Sequence, residues 1–340
     1  MKKIRIEEAI GRILGHDVTQ IIPGKFKGPR FRKGHRIRKE DISEFLRIGK
    51  EHVFVMDLKP GVIHEDEAAI QLGKAFSGKN LKTTGPSEGK ITFYSNIQGL
   101  LNINLRLLNR INLSKKIILS PLHRYTPCTP GMAVGATRII SLTISEKEVK
   151  KVEEWCEQEG PILEVLPYRQ LNIGVIITGN EIYYGRVKNG FKDSLEKKIL
   201  FFGSKIVKKI TVPDNLTRIS NALIELEKMP VDLILVTGGL SVDPDDLTYA
   251  GIKRAGAKLL FYGTPVLPGT MFLYALLNHT PILGLPACVF YHKITLFDVV
   301  FPRILAGQSL NRREISLLGH GGYCMNCTPC HFPYCAFGKG

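Results

Sequence analysis

Nowhere does the chain reach the roughly 20 consecutive apolar residues of a membrane span, so a helical integral membrane protein is excluded. The basic start, Met1-Lys2-Lys3-Ile4-Arg5, meets Glu7 and Glu8 where a secretory leader would turn apolar, and the expected compartment is the cytoplasm. No internal repeat is evident. Acidic residues are scarce beside basic ones, 31 against 47, giving a formal charge of +16. Much of that charge falls between Lys25 and Lys39, in Lys27, Arg30, Arg32, Lys33, Arg36 and Arg38, with His35 among them. The run offers a landing surface for an anionic partner, or is only a solvated loop and strand face. No helix-turn-helix, finger or aromatic RNP-like pattern accompanies it, so nucleic acid is not an expected partner. Cysteine is sparse until the end of the chain. Cys128, Cys156 and Cys288 are scattered and read as buried small apolar residues, whereas the other four of seven fall within the last 17 positions.

With 340 residues, 44% hydrophobic and 23% charged, the chain has the composition of a globular protein of two or three domains. Residues 1–60 form an N-terminal segment, with helical patterning from Ile6 to Leu14, a helix from Lys39 to Gly49 and a strand from His52 to Met56. Residues 61–145 read as a β-rich module that opens on a helix, His64 to Ala75, and is broken by Gly85-Pro86 and Thr129-Pro130-Gly131. A charged linker helix begins at Ser145, where Ser145 and Glu148 fit a capping box, within a segment spanning 146–170. From 171 to 310 apolar strands (173–177, 205–210, 231–236, 258–261, 281–285) alternate with amphipathic helices near 193–203, 215–229, 247–255 and 289–305. That order predicts an α/β domain with a doubly wound, mostly parallel sheet. Residues 311–340 are a cysteine-rich tail.

Two strands of the α/β region end in turns built for a ligand: Thr178-Gly179-Asn180-Glu181, and Thr237-Gly238-Gly239-Leu240-Ser241-Val242-Asp243-Pro244-Asp245-Asp246. Glycine lets the backbone turn sharply and point amides at an anion. Parallel strands bring such turns to one carboxyl edge, where they define a crevice. Pro268-Gly269 and Leu285-Pro286 fall on the same edge. Asp214 either caps the following helix or faces the ligand. Ser241 offers a hydroxyl, and Asp243, Asp245 and Asp246 offer carboxylates, some of which suit a helix first turn instead. Glu181 is the carboxylate of the other turn.

These segments, in this order, resemble the molybdopterin molybdenumtransferase family. The opening Glu8-Ala9-Ile10-Gly11-Arg12-Ile13-Leu14 with His16-Asp17-Val18-Thr19 is similar to that family's start, and the chain resembles in particular a subgroup with a cysteine-rich tail. The resemblance implies molybdenum cofactor biosynthesis: molybdopterin or its adenylylated form in the crevice, with molybdate and magnesium beside it. By position, Glu181, Asp214 and Asp246 match the family's functional carboxylates. Thr178, Gly179, Thr237, Gly238, Gly239, Ser241, Asp243, Asp245, Pro268, Gly269 and Pro286 would hold the cofactor. A homodimer is implied too. The chain departs from the pattern at Asp243 (a glycine in the family), at Leu267 and about Gly263 (lysines), and at Ala287-Cys288-Val289 in place of Gly-Asn-Pro. Losing two cations weakens molybdate insertion more than pterin binding. The alternative expectation is therefore a non-catalytic carrier or sensor that delivers cofactor to a recipient molybdoenzyme.

The tail carries Cys324, Cys327 and Cys330 at C-x2-C-x2-C spacing, with Cys335 five residues later. Four thiolates at this density suit a metal in a reducing compartment. Both a zinc site, with four thiolates or three plus His331, and an iron–sulfur cluster fit the donor set.

Overall fold

The computed structural model describes residues 1–187, 190–241, 243, 244 and 246–340. Two compact units are present: residues 1–97, 101–122 and 128–165 make the first, and residues 98–100, 123–127 and 166–340 the second.

In the first unit, strand Lys2–Arg5 pairs antiparallel with His52–Val55, and Val18–Ile22 forms a hairpin with Phe26–Phe31. Ile6, Leu14, Val18, Ile37, Phe45 and Val53 fill the core between them. The helix expected from Ile6 to Leu14 is corrected to one short turn, Ile6–Ala9. Ile13 and Leu14 instead bridge Arg36 and Val55 in extended conformation, so non-local pairing overrides a helical pattern. Several cations of the basic run are held within the unit: Arg30 by Glu44, and Lys33 by Asp66.

The rest of this unit includes a four-stranded antiparallel sheet, ordered 81–87, 90–95, 133–139, 117–121. Helices Glu65–Phe76 and Glu146–Glu159 share one hydrophobic cluster with it, through Ala68, Leu72, Phe76, Phe93, Val134 and Val149. The capping box expected at Ser145 does not form: Ser145 makes no side-chain cap bond, and Glu148 pairs with Lys116 at 2.6 Å.

His64 is buried and begins the first of these helices. Its Nε2 faces the Gly15 carbonyl at 2.7 Å, so that nitrogen carries the proton and donates. Nδ1 then accepts from the Lys33 ammonium (2.6 Å) and the Asp66 amide (3.1 Å), which leaves the ring neutral. Burial first, and the Lys33 charge after it, hold the pKa below the ordinary 6.5. The unfolded chain therefore takes up a proton that the fold rejects. This contribution to stability is complete above the unfolded pKa of 6.5 and is lost as pH falls through the depressed folded value. Denaturant unfolding of the full chain at about pH 7.5 and 5.5 should show lower stability at the acid end, and His64→Gln should flatten that difference.

The second unit is organised by a six-stranded sheet. Its strands in chain order are β1 (Asn172–Thr178), β2 (Lys205–Val212), β3 (Leu233–Thr237), β4 (Lys258–Tyr262), β5 (Leu273–Leu277) and β6 (Thr280–Leu285). The spatial order is β2-β1-β3-β6-β5-β4. Pairs β1·β2, β1·β3 and β3·β6 are parallel, while β5 is antiparallel to both β6 and β4. Strand β5 thus runs against the other five. This corrects the expected strict alternation: β5 and β6 are joined by the short turn at Asn278 (φ +53°), too short for the crossover that a parallel pair requires.

Alternate residues of β1 enter separate cores. Ile173, Val175 and Ile177 pack with Phe191, Leu195, Phe297, Phe301 and Leu305. Ile176 packs with Ile219, Leu223, Ile234, Val236 and Ile252. The apolar runs are continuous because both faces are covered. Helices α1 (Leu216–Glu227) and α2 (Thr248–Arg254) contribute to the second core, and α3 (Leu296–Leu305) to the first. Helix α3 starts seven residues later than its apolar pattern suggests. Thr295 and Asp298 form a capping box there that fixes a new beginning.

Candidate functional site

Strands β1, β2, β3, β4 and β6 point the same way, so the loops after Thr178, Val212, Thr237, Tyr262 and Leu285 emerge at one edge of the sheet. Three of these loops are tied to one another. The Thr178 hydroxyl donates to the Thr237 carbonyl at 3.1 Å. Its single proton thus committed, it accepts from the Thr248 hydroxyl at 3.0 Å, at the start of α2. The Thr248 amide in turn donates to the Gly239 carbonyl at 3.2 Å. All three threonines are buried.

The glycines are demanded by this closeness. Gly238 has φ +91°, and a Cβ there would lie 2.6 Å from the Thr178 carbonyl oxygen. Gly239 has φ +56°, and a Cβ would lie 2.5 Å from the Thr248 hydroxyl. At Gly179 (φ +136°) the Glu181 carboxylate folds back over the backbone, 2.8 Å from where a Cβ would sit.

A second tie joins the first two loops. The Asn180 amide donates to Asp214 Oδ2 (2.9 Å), and the Asp214 amide donates to Asn180 Oδ1 (3.2 Å). Asp214 does not cap α1. That role belongs to Asn215, whose side chain accepts from the amides of Thr217 and Arg218. Asp246 likewise gives no cap to α2, whose N-cap is Leu247 without a side-chain bond. Its Oδ2 accepts from the Ser241 amide at 2.5 Å, and the Asp246 amide donates to the Asp243 carbonyl at 3.0 Å. The Ser241 amide is therefore held by the protein's own carboxylate, and the Gly238 amide, expected to face an anion, donates to the Leu285 carbonyl at 3.5 Å. Tyr262 closes this corner with a hydrogen bond to the Leu240 carbonyl (3.2 Å), and its phenol pKa is raised by burial first and then by the Asp246 charge. Asp245 and Val242 lie outside the described residues.

Pro268 and Gly269 are bound up elsewhere. The Pro268 carbonyl accepts from the Leu296 amide at 3.1 Å, the Gly269 carbonyl accepts from the Thr264 hydroxyl at 3.0 Å, and Gly269 presses on Leu296 at the root of α3. Pro286 opens the short helix Ala287–Phe290 at the end of β6. Asn180, Thr248 and Tyr262 help organise the site and were not singled out by sequence. Asn180 lies inside the first turn motif, and Thr248 follows its acidic cluster; Tyr262, at the end of β4, carries no local signal.

The four tail cysteines are all free thiols. Cys324, Cys327, Cys330 and Cys335 line one cavity of about 410 Å³ together with His292, His331, Tyr323 and Phe332. Among the described residues no three His, Cys, Asp or Glu side chains are arranged to hold a single metal ion.

The fold and these turns define a mixed α/β domain whose carboxyl edge is made of interlocked strand-to-helix loops. Residues 174–306 match the family described as a probable molybdopterin binding domain, and residues 3–57 match a domain of unknown function, DUF8806. Over residues 174–306 the chain is similar to the molybdopterin-binding superfamily. It is 28% identical over 156 residues to the molybdopterin molybdenumtransferase of Haemophilus influenzae, spanning 43% of this chain and 38% of that protein. It is 40% identical over 81 residues to a protein of Archaeoglobus fulgidus, spanning 24% of this chain and 35% of that one. The matched segments thus cover little more than a third of these curated relatives. A solved molybdopterin biosynthesis moea protein from Pyrococcus horikosii aligns with 90% of this chain and 74% of its own, at 14% identity and a TM-score of 0.34.

Proposed function

We propose that the loops at the carboxyl edge of the sheet bind molybdopterin, and that the protein carries or senses this cofactor within molybdenum cofactor biosynthesis. The observation that supports it best is the buried threonine set. Thr178 and Thr248 satisfy one another, but the Thr237 hydroxyl is buried and has no hydrogen-bond partner among the described residues. A buried hydroxyl without a partner costs about 1–3 kcal/mol. A polar ligand seated on the Gly238–Gly239 turn, whose close backbone approach leaves no room for a side chain, relieves that cost.

Thr178, Thr237 and the glycine turn would hold the pterin end, with Ser241 and Asp246 beside its phosphate. Bound magnesium would supply the positive charge that lets a phosphate lie near Glu181, Asp214 and Asp246. Displacing Asp246 from the Ser241 amide frees a donor for that phosphate.

Carriage is favoured over molybdate insertion by one feature. Where the transferases have a lysine before Pro-Gly, this chain has Leu267, whose amide donates to Gly322 and whose carbonyl accepts from Cys324. The loop serves as a seat for the tail and presents no cation there.

Anaerobic titration of the full chain with molybdopterin and magnesium should saturate at one ligand per chain. Asp246→Asn keeps the loop hydrogen bond but removes the charge, and should weaken magnesium-dependent binding about tenfold or more. No saturable binding would end the proposal. Molybdate-dependent turnover that Asp246→Asn abolishes would replace carriage with the transferase reaction.

A further inference from the structure

We infer that the tail cavity is the seat of a four-iron, four-sulfide cluster ligated by Cys324, Cys327, Cys330 and Cys335. The inference stands independently of what the sheet-edge loops bind. All four cysteines line the same space of about 410 Å³, and the residues lining it include no aspartate or glutamate. The donors are soft or borderline, which disfavours magnesium and calcium. Zinc needs its thiolates about 2.3 Å from a single point, hence about 3.8 Å from one another. A cluster is several atoms across and takes its thiolates from its corners, an arrangement that a cysteine-lined cavity of this size admits.

Charge agrees with this occupant. A thiolate-bound cluster is anionic, and the cavity lining includes the cationic Lys293. The frame is already fixed. The Gly338 amide donates to the Gly321 carbonyl at 3.0 Å, closing the loop at its base, and Phe337 is buried. Cys324 and Cys335 pack on the main core, Cys327 is half-buried and Cys330 is exposed, so the cavity has an inner wall and an open side. The C-x2-C-x2-C run is that of cluster-binding segments, while the longer gap to Cys335 sets the fourth thiol on the returning arm of the loop.

Loading is a ligand exchange without redox change. Four protein thiols replace the four small thiolates of a preformed cluster; each iron–sulfur bond that breaks is matched by one that forms, and each cysteine proton passes to a departing thiolate.

The test treats the full chain, anaerobically, with a preformed cluster capped by 2-mercaptoethanol, followed by desalting. About four iron and four sulfide per chain should remain, with brown absorbance near about 400 nm. Cys330→Ser, at an exposed position, should lower retained iron about tenfold with an unchanged circular dichroism spectrum. Cys335→Ser should do the same. Cys156→Ser is the control: this thiol sits in the other unit, its pKa is pushed up to about 11 by burial, and full loading should persist. Equal iron in Cys330→Ser means an adventitious ion only and overturns the assignment. So does an absence of retained iron in the native chain, or one equivalent of zinc that blocks loading.

Discussion

Gly238→Ala should destabilise the α/β unit by about 2–5 kcal/mol and lower its melting temperature by about 10 °C. Two costs combine. At φ +91° an L side chain is strained by about 1–2 kcal/mol. The added methyl would also stand 2.6 Å from the Thr178 carbonyl oxygen, a backbone atom that cannot rotate away. Relief would require β1 and β3 to separate at their carboxyl ends, which breaks the bond from the Thr178 hydroxyl to the Thr237 carbonyl. Gly256→Ala isolates the first cost. Its φ is +89°, and nothing lies within 4 Å of the added Cβ, so a loss of only about 1–2 kcal/mol is expected. Denaturant unfolding of both variants decides the matter. Equal losses would mean that the close approach of the two loops has no energetic weight.

The second large effect belongs to Asp298. Its carboxylate accepts from the Thr295 amide at 2.8 Å, completing the capping box of α3, and pairs with Lys198 at 2.7 Å. Burial raises its pKa even with the Lys198 charge beside it. Asp298→Ala would remove the cap, at about 1 kcal/mol. It would also leave the Lys198 ammonium, mostly buried, without its counter-charge; breaking such a pair from one side costs about 3–5 kcal/mol. Because Lys198 retains some exposure and also donates to the Lys293 carbonyl, a total of about 3–4 kcal/mol is expected. The double variant Lys198→Met/Asp298→Ala should recover a large part of that loss, and a double variant no better than the single would refute the pairing.

Much of the α/β unit was legible because its chemistry is local. Strands covered on both faces must be apolar throughout, and the runs before Thr178 and Thr237 could be read as such. The two Thr-Gly turns were legible for the same reason. Choices between neighbours were not. Asp214 and Asn215 are both good caps by composition, and only the extended backbone of Asn215 (φ −142°, ψ 123°) settles which one serves. That choice leaves Asp214 available to latch Asn180, 34 residues away, a contact that no window of sequence contains. Strand β5 escaped because its apolar run fits helix or strand equally and its partners are set by the sheet. In the first unit Ile13 and Leu14 misled for the opposite reason: their helical spacing is real, but their partners Arg36 and Val55 lie far along the chain.

The closed base of the cysteine loop also determines how another molecule can meet this terminus. Between Gly321 and Gly338 the chain is clasped at both ends, and its exposed side chains, Tyr323, Met325 and Tyr334, are carried on a ring rather than on a loose thread. Strand addition and groove insertion both require a segment that can straighten, and this one cannot do so without pulling Phe337 out of the core. Whatever recognises it must therefore read a shaped knob, in the manner of a folded epitope.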